Sequence, residues 1–247
     1  MKIDNPVKRL INILNVGKEI YRDNQRSSPN RVIACRDAWR MIFNFDTEPD
    51  YFLLYRIGEV MALPYKIKNI LMNNFESDYW KSSHWEAQIN EAFKNVDLNA
   101  SWSGFITKID DRTITELKMM CLIIETKGHI KDLAPEQLNK FKEDVENIKN
   151  EVINSDIPKS LKDVFMKYLK KIIDAVDGYQ ISGVEPIMEA VESTLGHAFV
   201  DEEYKNAIKE NEFGSKIVNV LSSIANTVTI AEGLPAVGAA FLALLPK

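Results

Sequence analysis

Residues 4–14 read DNPVKRLINIL, and this short stretch carries the local signals that begin an amphipathic α-helix. Asn5 is a candidate N-cap, and Pro6 suits the first helical position because its missing N–H needs no partner there. The apolar residues that follow at helical spacing are Val7, Leu10, Ile11 and Leu14. The stretch therefore predicts a helix that begins at Pro6 and buries one face.

The same signals recur further along the chain. Residues 27–43 read SSPNRVIACRDAWRMIF, where Ser28 is a candidate cap and Pro29 a candidate first helical residue. The apolar stripe predicted for this helix comprises Val32, Cys35, Trp39, Ile42 and Phe43. Residues 47–75 predict two helices divided at Pro64, because a proline inside a helical pattern removes one backbone hydrogen bond.

Helical patterns also fill most of the remaining chain. Further helices are predicted within residues 77–96, 113–128, 134–155, 158–179 and 184–199. Proline stands near several of their starts and glycine at several ends, and the short turns between them favour antiparallel neighbours. No stretch shows the sustained alternation of apolar and polar residues that a half-buried strand requires. The sequence therefore predicts an all-α protein, as two helical lobes or one continuous bundle.

The weakest helical periodicity lies at residues 97–113, DLNASWSGFITKIDDRT, which indicates a boundary. The predicted parts are an N-terminal helical lobe at 1–96, a connecting segment at 97–112, a C-terminal helical lobe at 113–214 and an apolar tail at 215–247. A second linker, DGYQISG at residues 177–183, lies between two strong helices. Its two glycines are consistent with either a shaped turn or a hinge.

The composition is that of a globular protein in a reducing compartment. The 247 residues are 45% hydrophobic and 27% charged, which is enough apolar material for one large or two small cores. Cys35 and Cys121 are too few for a disulfide framework, and the first residues are charged where a signal peptide would be apolar. We therefore expect a cytoplasmic protein.

Positive charge is concentrated at the start of the chain. Residues 1–40 hold nine basic and four acidic side chains, a net charge of +5, although the whole chain carries −5. Arginine offers a planar fork of donors suited to phosphate or carboxylate groups. The residues expected to bind an acidic protein surface or nucleic acid are Arg22, Arg26, Arg31, Arg36 and Arg40. The alternative is that they pair with acidic residues of the same chain.

A short motif raises the possibility of nuclease chemistry. Glu125 and Lys127, with Asp110 and Asp111 upstream, are similar to the acidic pair and lysine of metal-dependent PD-(D/E)xK nucleases. That site requires the acid and the lysine on a strand. Here Ile114, Leu117, Cys121 and Ile124 instead mark one face of a helix that ends at Gly128. The helix reading is therefore preferred.

No other motif predicts catalysis, a metal site or a cofactor. The three histidines are scattered, and the two cysteines do not form a C-x-x-C pair. His197 and Asp201 stand at i and i+4, which is more typical of a surface pair at a helix end. The sequence also contains no glycine-rich phosphate loop and no G-x-S-x-G elbow.

Aromatic residues near the predicted lobe boundary are candidates for partner recognition. They are Tyr79, Trp80, Trp85 and Trp102, of which the three tryptophans are the predicted partner-binding residues. Large rings often anchor protein partners, but they also fill cores. Core packing is the expected role for two of the four.

The tail is predicted to form an apolar helical hairpin. Between Lys216 and Lys247 the only ionisable side chain is Glu232, and the Gly-Leu-Pro at 233–235 favours a turn. Neither arm reaches the roughly 20 apolar residues of a membrane-spanning helix. The apolar face of the first arm, suited to packing on protein, comprises Ile217, Leu221, Ile224 and Val228.

The second arm of the tail, LPAVGAAFLALLPK, has no polar face and needs cover. The expected covers are the core of the bundle, a second subunit and lipid, in that order. The residues expected to make these contacts are Leu234, Val237, Phe241, Leu242, Leu244 and Leu245. Lipid as the cover would imply association with the inner membrane.

Several segments resemble those of known bacterial proteins. CRDAWRMIFNF at 35–45, RIGEVMALPYKI at 56–67 and the stretch at 169–196 resemble uncharacterised all-helical bacterial proteins from variable genomic regions, where defence and conflict systems gather. The resemblance implies no catalytic residue. We therefore expect a non-enzymatic helical adaptor or accessory subunit of a defence or stress complex that binds a protein partner or itself. The alternatives are a membrane-acting effector that uses the tail and a metal-dependent nuclease.

Overall fold

The computed structural model describes residues 5–27, 31–81, 84–128 and 132–231, without the side chains of Tyr79, Ile230 and Ala231. Over these ranges the chain forms twelve α-helices and two short 3-10 helices. One isolated antiparallel bridge, between Ala34 and Ser101, joins two of the loops. The prediction of an all-α protein is confirmed.

The chain divides into two compact units between His129 and Ile130. The helices of the first unit are α1 (Pro6–Ser27), α2 (Cys35–Phe43), α3 (Asp50–Asn74), α4 (His84–Phe93), α5 (Trp102–Ile106) and α6 (Asp111–Glu125). Those of the second unit are α7 (Pro135–Asn154), α8 (Lys159–Asp177), α9 (Tyr179–Ser182), α10 (Glu185–Gly196), α11 (Glu202–Glu210) and α12 (Glu212–Ala231). The segment 97–112, predicted to connect two lobes, lies inside the first unit instead.

The first unit is built around α1, which packs against α2, α3, α5 and α6. The predicted stripe of this helix is confirmed, because Val7, Leu10, Ile11 and Leu14 are all buried. Gly17, one turn further on, is buried as well. The Trp102 indole lies against this glycine, and its Nε1 donates a hydrogen bond to the Gly17 carbonyl at 3.0 Å. The segment 97–112 thus contributes to the core of the first unit, through Leu98, Trp102, Phe105, Ile106 and Ile109.

The predicted start of α2 at Pro29 is wrong, because the helix begins at Cys35 with Ala34 as its N-cap. Residues 31–34 are extended beside the loop that precedes α5. The Cys35 amide donates to the Ala100 carbonyl at 2.8 Å, and the Trp102 amide donates to the Ile33 carbonyl at 2.9 Å. These long-range hydrogen bonds explain why the chain enters the helix later than its local signals indicate.

The predicted division at Pro64 is also wrong, because α3 runs from Asp50 to Asn74 as one helix. The residues on both sides of the proline that face the core are Leu53, Ile57, Val60, Leu63, Ile67 and Leu71, each 1% exposed or less. Their burial outweighs the roughly 3 kcal/mol that an internal proline costs a helix. Tertiary packing therefore overrides the local signal.

The second unit is a four-helix bundle with two short helices in its connections. Helix α7 packs against α8, α8 against α10, α10 against α12, and α12 against α7. Its core contains a group of packed rings, in which Phe165 stacks on Tyr204 at 4.3 Å and meets Phe213 edge-on at 5.3 Å between ring centroids. The predicted helices at 134–155, 158–179 and 184–199 correspond to α7, α8 and α10.

The linker at residues 177–183 is a packed turn. It forms α9, in which Tyr179, Ile181 and Ser182 are buried. The Tyr179 hydroxyl accepts a hydrogen bond from the Leu133 amide at 2.8 Å, and Gly183 has a φ of 77°, which favours glycine. Of the two predicted roles, these contacts support the shaped turn.

The first arm of the apolar tail is α12, and its predicted buried face is confirmed. Ile217, Leu221, Ile224 and Val228 are each 1% exposed or less. The second arm, including the contact residues predicted from Leu234 to Leu245, lies outside the described residues. Within the part of the chain that the structure describes, no helix is long and apolar enough to cross a membrane.

The contact between α1 and α5 predicts that Gly17→Ala destabilises the protein. A Cβ atom at Gly17 would lie 2.7 Å from Trp102 Cζ2 and 3.2 Å from Ile106 Cδ1. We expect a loss of about 1–3 kcal/mol in the free energy of unfolding. The matched control is Gly104→Ala in α5, where the added Cβ meets no atom within 4 Å. The control should be neutral or stabilising by up to about 1 kcal/mol in the same urea titration.

The ring cluster of the second unit predicts a pH dependence of stability. Burial, with the nearby Tyr168 and Asp201, raises the pKa of Tyr204 well above its usual value. Above pH of about 10 the unfolded chain releases this proton and the folded chain keeps it, so stability falls as pH rises. Below that pH the contribution is fully present.

Tyr204→Phe removes this ionisation, so the variant should lose less stability than the wild type between about pH 9 and pH 11. At neutral pH the variant should be less stable by about 1 kcal/mol, because the hydroxyl donates to the Thr194 carbonyl at 3.2 Å. Urea unfolding at several pH values measures both effects. Equal losses in the two proteins at high pH would contradict the assignment.

Candidate interaction surface

The outer face of α3 is the largest run of exposed apolar residues along one helix of the first unit. Tyr51, Leu54, Tyr55, Met61 and Tyr65 are 77%, 46%, 57%, 42% and 70% exposed. Gly58 and Ala62 are exposed between them, so these seven positions follow one another at helical spacing. They are named here the α3 face. A helix that buries one apolar face usually carries polar and charged residues on the opposite face.

The α3 face is uncharged and large. Its seven residues carry no ionisable acid or base apart from the three tyrosine hydroxyls. With about 200 Å² for a fully exposed large side chain, the five large residues present on the order of 600 Å². That area is at the upper end of the roughly 300–600 Å² of the largest patch on an ordinary monomer. The largest patch on a monomer is often a functional surface.

A continuous series of rings supports one end of the α3 face. Trp39, 2% exposed, stacks on Phe43 with 5.5 Å between ring centroids. Phe43 then contacts Phe45 at 5.6 Å, Phe45 contacts Phe52 at 5.4 Å and Phe52 contacts Tyr55 at 6.1 Å. Tyr55 on the surface is therefore held by packing that begins in the core, which limits the entropy it loses when a partner binds.

Arg56 adds a second support beneath the α3 face. This side chain is only 3% exposed, and its Nη1 donates to Glu59 Oε2 at 2.7 Å. The guanidinium carbon lies 5.1 Å from the centre of the Phe52 ring and 5.5 Å from that of Tyr55. The Tyr55 hydroxyl also lies 3.4 Å from Glu59 Oε1. A cation held against two rings fixes their orientation.

The five predicted partner-binding arginines fall into two groups. Arg36 and Arg40 both form ion pairs with Asp50, at 3.2 and 3.4 Å. Arg40 also donates to the Glu48 carbonyl and, at 3.5 Å, to the Asp46 carbonyl. For these two residues the structure agrees with the alternative of internal pairing. Their role is to attach the loop after α2 to the start of α3.

The other three arginines, Arg22, Arg26 and Arg31, are exposed. Arg31 lines a cleft of about 700 Å³ together with Arg40 and the acidic residues Asp23, Asp37 and Asp46. Charges of both signs alternate along its walls. A mixed surface of this kind lacks the continuous positive field that nucleic-acid binding uses.

Two of the three predicted partner-binding tryptophans are core residues. Trp85 is 3% exposed and Trp102 is 1% exposed, so the prediction that an outside partner contacts them is wrong. Trp80 is half-buried, and its Nε1 donates to the Phe75 carbonyl at 3.2 Å. The side chain of Tyr79 lies outside the described residues. Trp85 and Trp102, near the predicted lobe boundary, therefore pack in the interior of the first unit.

The residues that are similar to a nuclease motif lie in or beside the helix α6, and Lys127 follows it in a turn. Asp110 is the N-cap of α6 and accepts from the Thr113 amide at 2.7 Å, a hydrogen bond that lowers the pKa of this carboxyl. Asp111 pairs with Lys18 at 3.0 Å. Glu125 is the last residue of α6. The described residues contain no group of three or more His, Cys, Asp or Glu side chains that could hold a metal ion.

Two histidines and a cysteine make local structural contacts. His84 Nε2 lies 2.9 Å from Asp110 Oδ2, and His197 Nε2 lies 3.2 Å from Asp201 Oδ2. Burial raises the pKa of the Cys35 thiol, so this group stays protonated beside a cavity of about 170 Å³. A protonated thiol is a poor nucleophile. These positions therefore favour a structural role.

The sequence contains one indication of the α3 face, which is the scarcity of charged residues rather than the helical spacing of apolar ones. Between Tyr51 and Leu63 the only charged residues are Arg56 and Glu59. A helix with one buried face needs about half as many apolar residues, so this excess indicates a helix that requires cover on two sides.

The internal pairing of Arg40 gives a prediction. Arg40→Met should destabilise the protein by about 1–2 kcal/mol, because two backbone carbonyls lose this donor and Asp50 keeps only Arg36. Arg22→Met and Arg26→Met, at exposed positions, should each change stability by less than about 0.5 kcal/mol. Thermal or urea unfolding of the three variants makes the comparison, and equal effects at all three positions would contradict the assignment.

Comparison with known proteins adds no homologue to this description. No family model, no curated protein and no solved structure matches the chain. The exposed surface of α3 is therefore the feature on which a functional conclusion depends.

Proposed function

We propose that this chain is a non-enzymatic helical interaction subunit and that the α3 face is its docking surface for a protein partner. The observation that carries the proposal is the exposure of five large uncharged side chains on one face of α3. Leaving such a surface in water costs about 25 cal/mol per Å² relative to burial. A protein partner that covers it recovers this free energy.

The residue types on the α3 face suit protein recognition. Tyrosine is enriched among the residues that dominate binding energy, since it combines a large apolar ring with a hydroxyl that can find a partner. The face contains three tyrosines and one methionine, which adapts to irregular surfaces. The charged residues Asp50 and Lys66 flank it at the two ends. An apolar centre with a polar rim is the usual arrangement of a protein interface.

The preferred partner is a helix with its own apolar stripe. Gly58 and Ala62 are small and exposed between Tyr55 and Tyr65, so a partner helix can approach closely there. The setting that we propose, a bacterial defence or stress complex in which this chain is an adaptor or accessory subunit, comes from the sequence resemblance. The membrane-acting alternative receives less support, because α12, the described arm of the tail, buries its apolar face in the second unit.

Site-specific photocrosslinking in living cells tests this proposal. Tyr65 is replaced by p-benzoylphenylalanine, a larger aromatic side chain whose ketone inserts into nearby C–H bonds on illumination. The matched control carries the same group at Met119 on α6, which is 58% exposed. We expect an adduct with a protein from position 65 and little or none from position 119. Adding Ala62→Glu to the first variant should abolish the adduct, because a carboxylate is placed in the apolar centre.

Two results would overturn the proposal. One is the absence of any adduct from position 65 in cells that contain the folded protein. The other is an equal adduct yield from both positions, which would indicate nonspecific contact.

A further inference from the structure

We infer that the α3 face binds the α3 face of a second copy of this chain, with the two helices antiparallel and related by a twofold axis at Gly58. This inference rests on the proposed function, since it names the partner of the same surface. The partner is an identical helix, and the arrangement is one in which each copy gives and receives the same contacts.

The first argument is the symmetry of the α3 face about Gly58. The pairs at equal distances along the helix are Tyr55 and Met61 at three residues, Leu54 and Ala62 at four, and Tyr51 and Tyr65 at seven. An antiparallel twofold axis at Gly58 exchanges the two members of each pair. Each residue of one copy then lies at the level of the other member of its pair in the second copy. Leu54, for example, lies opposite the small Ala62. A parallel pair would instead set Leu54 against Leu54.

The second argument is the glycine at the centre. Gly58 lies inside α3, where glycine costs about 1 kcal/mol relative to alanine. A Cβ atom there would meet nothing within 4 Å, so the packing of one copy does not require glycine. A second helix that crosses at this residue would require glycine, because the absence of a side chain allows the two backbones to approach closely.

The third argument is charge. Asp50 and Lys66 lie eight residues on either side of Gly58, just beyond the apolar positions. In the antiparallel arrangement Asp50 of one copy lies at the same level along the helices as Lys66 of the other, at both ends of the interface. A parallel arrangement would bring like charges together, Asp50 against Asp50 and Lys66 against Lys66. The side chain of Asp50 is 42% exposed beside Arg36 and Arg40, so it can also face a second copy.

The fourth argument is area. Two α3 faces in contact bury up to about 1,200 Å², which passes the roughly 1,000 Å² expected of a specific interface. Interfaces at this low end of the size range are typically weak, so we expect a dissociation constant on the order of micromolar.

Sedimentation velocity over a range of concentrations tests for the dimer. The full-length wild-type protein should change from monomer to dimer between about 1 and 100 µM. Ala62→Glu, at an exposed position that folding tolerates, should weaken the dimer by at least about 100-fold, since it buries two unpaired carboxylates. Met119→Glu, the matched control on α6, should dimerise like the wild type. Circular dichroism confirms that both variants are folded.

Disulfide trapping tests the orientation. Leu54→Cys and Ala62→Cys chains, mixed and oxidised, should form a crosslinked heterodimer, because these positions face each other across the axis. Either variant alone should crosslink poorly, since the two copies of one position are then about 12 Å apart along the helix. The wild-type protein, with its native Cys35 and Cys121, measures the background.

The outcomes separate this inference from the proposed function. A monomer at all concentrations, or a dimer that Ala62→Glu does not weaken, overturns the second copy as the partner. Efficient crosslinking of Leu54→Cys to itself overturns the antiparallel arrangement. If the photocrosslinked adduct at position 65 contains a different protein while the purified chain is monomeric, the docking surface stands and the second copy is refuted. If no adduct and no dimer form, both proposals fail.

Discussion

The contact between Trp102 and Gly17 is the interaction on which the first unit depends. The indole reaches the backbone of α1 only because Gly17 has no side chain, and its Nε1 finds the Gly17 carbonyl there. Trp102 also meets Trp39 edge-on at 5.2 Å, so α2 is positioned by the same ring. From Trp39 the aromatic contacts lead outward to Tyr55. The exposed surface of α3 is thus fixed by an interaction in the centre of the unit.

Local sequence signals predict those helices whose boundaries and buried faces depend mainly on nearby residues. Pro6 begins α1 as the proline signal indicates, and the buried stripe of α12 follows its spacing residue by residue. The predicted cap is wrong, because Asn5 donates from Nδ2 to the Cys121 carbonyl at 3.3 Å and its Oδ1 accepts no hydrogen bond from the described residues. The helix α6 ends close to Gly128, whose φ of 82° favours glycine. At each of these helices the local signal and the tertiary packing favour the same structure, so the sequence predicts it correctly.

The failures share a different cause. The start of α2 and the continuity of α3 are decided by hydrogen bonds and burial between residues far apart in the chain, and a window of one sequence does not contain them. The same limit affected the candidate site. Tryptophan rings and arginine guanidinium groups often bind partners. In this protein, however, Trp85 and Trp102 are buried in the core, and Arg36 and Arg40 pair with Asp50. Residue type alone does not separate these roles.

The division of the chain has a consequence for how the protein is made. The described residues of the first unit all precede residue 130, so each of its helices leaves the ribosome before the second unit is complete. Domains generally fold in the order of synthesis, at about 5–20 residues per second. The nascent chain can therefore present the α3 face while the second unit remains to be translated. Neighbouring ribosomes on one message would hold such chains close together, a condition that favours assembly during translation.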